Sequence, residues 1–88
     1  MKESIGRVKG KTSTGFEYDV DPNFADDWEL LENLTSGTAK GEIEAAKTIL
    51  GDDQYKKLKD HCRDDNGKVS AIKMDAELGE VIEATSKN

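Results

Sequence analysis

The period of the hydrophobic pattern changes once, at Asp21-Pro22, and that change limits what this chain can fold into. Before it, Phe16, Tyr18 and Val20 alternate with Glu17 and Asp19, the period of two that marks a half-buried strand. After it, apolar residues recur at spacings of three and four, which only a helix places on one face. Proline suits this junction, because its missing N–H is harmless in a first helical turn but would interrupt a strand ladder. The chain therefore reads as α+β and mostly α: an N-terminal β-hairpin followed by about four short helices.

Upstream of the alternating segment, Ile5 and Val8 precede Gly10, and the polar stretch Lys9–Gly15 suits a hairpin loop. The hairpin is expected over about residues 4–20. An isolated hairpin is marginal in water, so it must pack on the helices. Phe24, Trp28 and Leu31 fall at i, i+4 and i+7, flanked by Leu30 and Leu34, and predict a helix over about 22–34. Thr35–Gly41 breaks the pattern and reads as the most flexible internal stretch. Ile43, Ala46, Ile49 and Leu50 predict a helix over about 42–50, ended by Gly51. Tyr55, Leu58 and Cys62 predict another over about 53–63, with Asp52 as its N-cap. Met74, Leu78, Val81 and Ile82 predict the last, over about 71–84, capped by Ser70 or Asp75.

With 88 residues, 34% of them hydrophobic, the chain can form one small core and no second one. It reads as a single domain with frayed ends. Net charge is −6, from 19 acidic and 13 basic residues, which argues against ordinary phosphate-backbone binding. Acid is concentrated at Asp21, Asp26, Asp27, Glu29 and Glu32, with no base among them. A solvated helix face accounts for such a run, and a docking face for a basic partner is the sharper alternative. The single Cys62 excludes an internal disulfide and a multi-cysteine zinc site within one chain. No stretch has the length and apolarity of a signal peptide or a membrane span.

Motifs for catalysis are few. His61 precedes Cys62, but neighbours on a helix point about 100° apart, and Cys62 falls on the apolar stripe. Asp64-Asp65-Asn66-Gly67 resembles part of a calcium loop. Placing Gly67 at the sixth position puts Cys62 first and Lys73 last, so both ends fail. A tight turn with Asn66-Gly67 at positive backbone angles explains the same residues. No catalytic, cofactor-binding or metal-binding residue is assigned, and the expected class is a non-enzymatic binding protein. Trp28 fills a core on the plain reading and anchors an interface on the functional one. The apolar stripes exceed what so small a core needs. Trp28, Leu30, Leu34, Leu78, Val81 and Ile82 are accordingly the expected partner-binding residues.

Taken in order, Phe16-Glu17-Tyr18-Asp19-Val20, Asp26-Asp27-Trp28-Glu29-Leu30-Leu31-Glu32, Ile49-Leu50-Gly51-Asp52-Asp53-Gln54-Tyr55 and Leu58-Lys59-Asp60-His61 resemble the tail assembly chaperones of siphophages that infect low-GC bacteria. Arg63-Asp64-Asp65-Asn66-Gly67-Lys68-Val69 and Ala76-Glu77-Leu78-Gly79-Glu80-Val81-Ile82-Glu83 continue the likeness, which covers about residues 14–84. The resemblance implies a bacteriophage morphogenesis factor in the cytoplasm of the bacterial host. Its implied partners are the tape measure protein, which it would keep soluble, and the tail tube protein, which it would help recruit. The family pattern supplies no list of binding residues to carry over. Self-association is compatible with the stripes; nucleic acid and membrane are not expected partners. An alternative of another class is a small acidic inhibitor of a host defence protein, presenting carboxylates where a nucleic acid would sit. On the chaperone reading, Ser at both Leu78 and Val81 is expected to cost client solubility beyond any loss of folding.

Overall fold

The structure, a computed structural model, describes residues 6–86. Strands β1 (Val8–Lys11) and β2 (Glu17–Val20) pair antiparallel, Val8 facing Val20 and Lys11 facing Glu17. A 3-10 turn (Pro22–Asp26) leads to helices α1 (Trp28–Leu34), α2 (Ala39–His61) and α3 (Ala71–Ser86). The α+β, mostly helical arrangement with its hairpin first is thus present, with different internal boundaries. The connection is shorter than Lys9–Gly15, since Lys9, Gly10 and Lys11 belong to β1. Ile5, expected in the first strand, lies outside the described residues.

Phe16, Tyr18 and Val20 are buried on one face of the hairpin, as their alternation requires. Gln54 holds the edge of β2 to α2. Its Oε1 accepts from the Asp19 N–H at 2.7 Å, and its Nε2 donates to the Asp19 carbonyl at 2.8 Å. With Arg7, whose Nη2 also donates to the Asp19 carbonyl at 2.8 Å, Gln54 takes up a strand-edge donor and acceptor that could otherwise pair with another chain.

The expected 22–34 helix is two elements. Asp21 caps the 3-10 turn by accepting from the Asn23 N–H, and Asp27 caps α1 by accepting from the Leu30 N–H. Asp27 itself is extended (φ −112°, ψ 107°), so the helical phase restarts at Trp28. Phe24 and Trp28 therefore never share a helix face. Leu30 turns inward at 2% exposure, and Trp28 turns outward at 74%.

The expected helices over 42–50 and 53–63 are both present, as two helical segments of α2 that part at Gly51, where φ 79° and ψ 166° leave the helical region. Ala45, Ala46, Ile49 and Leu50 are buried before the interruption and Leu58 after it, with Cys62 buried at the C-cap. Ile43, expected inward, is 44% exposed. The stretch Thr35–Gly41 is a hydrogen-bonded corner rather than a slack linker. Ser36 Oγ donates to the Asn33 carbonyl, and Thr38 Oγ1 caps α2 by accepting from the Gly41 N–H. Gly41 is buried there, and a Cβ would collide with Ser36 and the Asn33 carbonyl. Ser70, not Asp75, caps α3, accepting from the Lys73 N–H at 3.2 Å. No helix among the described residues is long and apolar enough to cross a membrane.

Candidate binding cleft

Helix α3 meets α2 over fewer residues than α1 does, and the space left between them is the main apolar concavity of the fold. One part of it, about 250 Å³, has Ala46, Leu58 and Leu78 as its floor, with Ile43, Tyr55 and Met74 around it. A second depression, about 430 Å³, continues past Ala39, Glu42 and Leu78 to Leu34, Gly79 and Ile82. Tyr55 is covered by cations, with Lys59 Nζ 5.0 Å and Lys47 Nζ 5.9 Å from its ring centre. The cleft is thus apolar along its length and charged at its lip.

Among the sequence-predicted residues, the structure separates three groups. Leu30 and Val81 are core, at 2% and 0% exposure, and Leu78, at 5%, belongs to the core and also forms the floor of the cleft. Serine at Leu78 and Val81 would put hydroxyls into the core and destabilise the domain, so a loss of client solubility is to be measured against the accompanying loss of folding. Leu34 and Ile82 are half-buried and line the cleft. Trp28 is exposed on α1 and lies outside the cleft lining, so its reading as a core residue is overturned. Ile43 and Met74 line the cleft and were assigned inward instead; only the lateral position of α3 decides which face of α2 stays open.

A polar clasp ties the hairpin loop to the far side of α3. Glu80 accepts from the Ser13 N–H at 2.7 Å and from the Ser13 hydroxyl at 2.6 Å. Thr14 donates its hydroxyl proton to Glu77 Oε2, so its oxygen can only accept from His61 Nε2 at 2.8 Å. Glu77 is buried, and its Oε1 has no hydrogen-bond partner among the described residues. The two Ser13 hydrogen bonds hold the Glu80 carboxyl below its ordinary range. Lowering the folded-state value makes the clasp complete where an unfolded-chain glutamate is ionised, and it is lost as pH falls through the lower folded value. The Ser13 amide resonance should therefore shift at a lower pH than an ordinary glutamate titration would produce. Glu80→Gln should abolish the transition; the same transition in the variant would disprove the assignment.

The other chemical candidates resolve into structural roles. Cys62 is 1% exposed; burial, then the charge of Glu77, push its thiol up, and Lys73 only partly opposes this. His61 is exposed, with Nε2 engaged by Thr14. In the 64–69 turn, Asp64 Oδ1 accepts from the Asn66 and Lys68 N–H groups at 2.9 Å. Gly67 alone has positive φ there, at 84°, which corrects the expectation for Asn66. No group of three or more His, Cys, Asp or Glu among the described residues is placed to hold a metal ion. Of the acid run, Asp21 and Asp27 are occupied as caps, leaving Asp26, Glu29 and Glu32 exposed. The widest depression, about 1320 Å³, is a shallow dish between the hairpin and α2. Arg7–Asp19 at 2.9 Å and Lys11–Glu17 at 3.8 Å pair within it, and Lys9, Lys57, Asp52 and Asp53 line it as well, so both signs of charge are mixed there. Gln54, which could have been suspected only from its place after Gly51, proves central to the hairpin contact.

Comparison of the chain with protein-family models, with curated proteins and with solved structures gave no match.

Proposed function

We propose that this chain is a non-enzymatic binding protein that holds an amphipathic helix of another polypeptide in the α2–α3 cleft. The observation that carries the reading is the cleft itself, an apolar trough with Ile43 44% exposed at its edge. Burying Ile43 and the half-buried Met74 and Ile82 under a partner removes apolar area from water at about 25 cal/mol per Å². Helix-in-groove recognition uses such a surface, reading side chains at i, i+3, i+4 and i+7. The resemblance to siphophage tail assembly chaperones supplies the biological setting: the client would be the tape measure protein, with tail tube protein recruited around it, in the bacterial cytoplasm. Each contact is modest, and many copies along one long client would add through multivalency.

Co-expression with the tape measure protein tests the reading. Wild-type chain should keep the client soluble and co-purify with it. Ile43→Ser should weaken that association by roughly tenfold, the loss expected of an interface anchor, while changing the melting temperature little because Ile43 is already half exposed. A client equally soluble without the chain would end the proposal. The acidic-inhibitor alternative rests on the acid run, whose five residues are all exposed, and competition with DNA for a defence nuclease would favour it over the helix-binding reading.

A further inference from the structure

Gly79 sits inside α3, at a helical position where glycine is intrinsically unfavourable. Nothing in the fold asks for it. Its φ is not positive, and a Cβ added there would meet no atom within 4 Å. It lines the cleft beside Leu34 and Ile82. A residue whose smallness benefits neither backbone nor packing leaves room for something that approaches from outside the chain. Where two helices touch at glycine, their backbones come closer than side chains otherwise permit.

Lys59 and Lys47 lie at the Tyr55 end of the cleft, and at the Gly79 end the charge is acidic and selects the occupant. Glu42 on α2 and Asp75 on α3 are both exposed and line this depression. A second copy of the chain, itself at net charge −6, would bring acid against acid. We infer that the cleft takes a basic amphipathic helix from a different polypeptide. That helix packs its backbone against α3 at Gly79, with its cationic side chains between Glu42 and Asp75. This rests on the proposed function and specifies its partner: an apolar stripe, a small-residue contact and flanking Lys or Arg. Steric room at Gly79 then governs which helices fit, and the two carboxylates govern their charge.

Two stapled, fluorescein-labelled helical peptides test this, sharing a leucine stripe but flanked by lysines in one and glutamates in the other. The lysine peptide should bind the wild-type chain at least about tenfold more tightly than the glutamate peptide. Gly79→Ala should raise the melting temperature by about 3–6 °C, because the helix gains a better former in open space. The same variant should weaken lysine-peptide binding by about tenfold, through overpacking at the contact. Ala76→Leu, which adds bulk to an exposed α3 position outside the cleft lining, should leave binding unchanged. Equal binding of both peptides, undiminished binding by Gly79→Ala, a lowered melting temperature in that variant, or displacement of the peptide by a dimer seen in sedimentation would each overturn the inference. Retention of the tape measure protein by wild type and Gly79→Ala alike would refute the Gly79 contact and spare the proposed function. Gly79-dependent peptide binding without any hold on the tape measure protein would do the reverse.

Discussion

Leu58→Ala is expected to reduce the unfolding free energy by about 3 kcal/mol and the melting temperature by roughly 12–20 °C. Leu58 has no exposed surface and lies past the Gly51 interruption of α2, where it forms the floor of the cleft along with Ala46 and Leu78. Truncating it forfeits the transfer energy of the lost methyl groups and leaves a cavity that its neighbours fill only in part. The proportion matters more than the number. A domain of this size has a total stability of about 5–10 kcal/mol, so one side chain carries a large share of it. Urea denaturation of the variant checks the value. A loss below about 1 kcal/mol would mean that α3 collapses into the space, and hence that it is not held where the structure puts it. Because the substitution also enlarges the cleft, it measures stability and not binding.

Gly51→Ala should destabilise by about 2 kcal/mol, although no side chain touches the site. Its φ of 79° and ψ of 166° fall in a region essentially reserved for glycine, and a Cβ would meet open space. The penalty is therefore backbone strain alone. The chain could escape it only by continuing as a straight helix. That would rotate Tyr55, Leu58 and Cys62 away from the core they share with Ile49 and Leu50. Gly79→Ala provides the contrast: the same change inside a regular helix has the opposite sign, because there glycine brings only excess entropy of the unfolded chain. Parallel denaturation of the two variants separates the cases. A stabilised Gly51→Ala protein would show that α2 runs straight in solution and that the interruption is not part of the native fold.

How far the residues alone reached varies element by element. Phe16, Tyr18 and Val20 were legible because strand alternation depends only on nearest neighbours. The cap at Ser70 was legible as well, its bond lying within three residues, whereas the Thr38 cap fell in a stretch read as flexible. The misreading of Trp28 has a local cause of another kind. Asp27 could cap or continue a helix, and the same i, i+4 spacing of Phe24 and Trp28 is present either way until its φ and ψ are known. Leu30, Leu78 and Val81 posed a different problem. Periodicity puts a residue on an apolar stripe but cannot say whether the stripe meets its own core or a partner.

What the chain's pattern determined by itself was the order and type of elements: a hairpin, a break at Asp21-Pro22, then amphipathic helices with the glycine interruption at position 51. These follow from short-range sterics and hydrogen bonding, which neighbouring residues settle among themselves. Only the tertiary structure decided that α3 meets α2 so sparingly, leaving Ile43, Met74 and Ile82 around an open trough while Leu78 and Val81 close the core. It alone linked Glu77 and Glu80 to the hairpin loop and Gln54 to the edge of β2. The reason is distance along the chain. Contacts between residues tens of positions apart depend on how helices are offset and tilted in space, and hydrophobic burial, being non-directional, leaves that offset to the sum of all the packing.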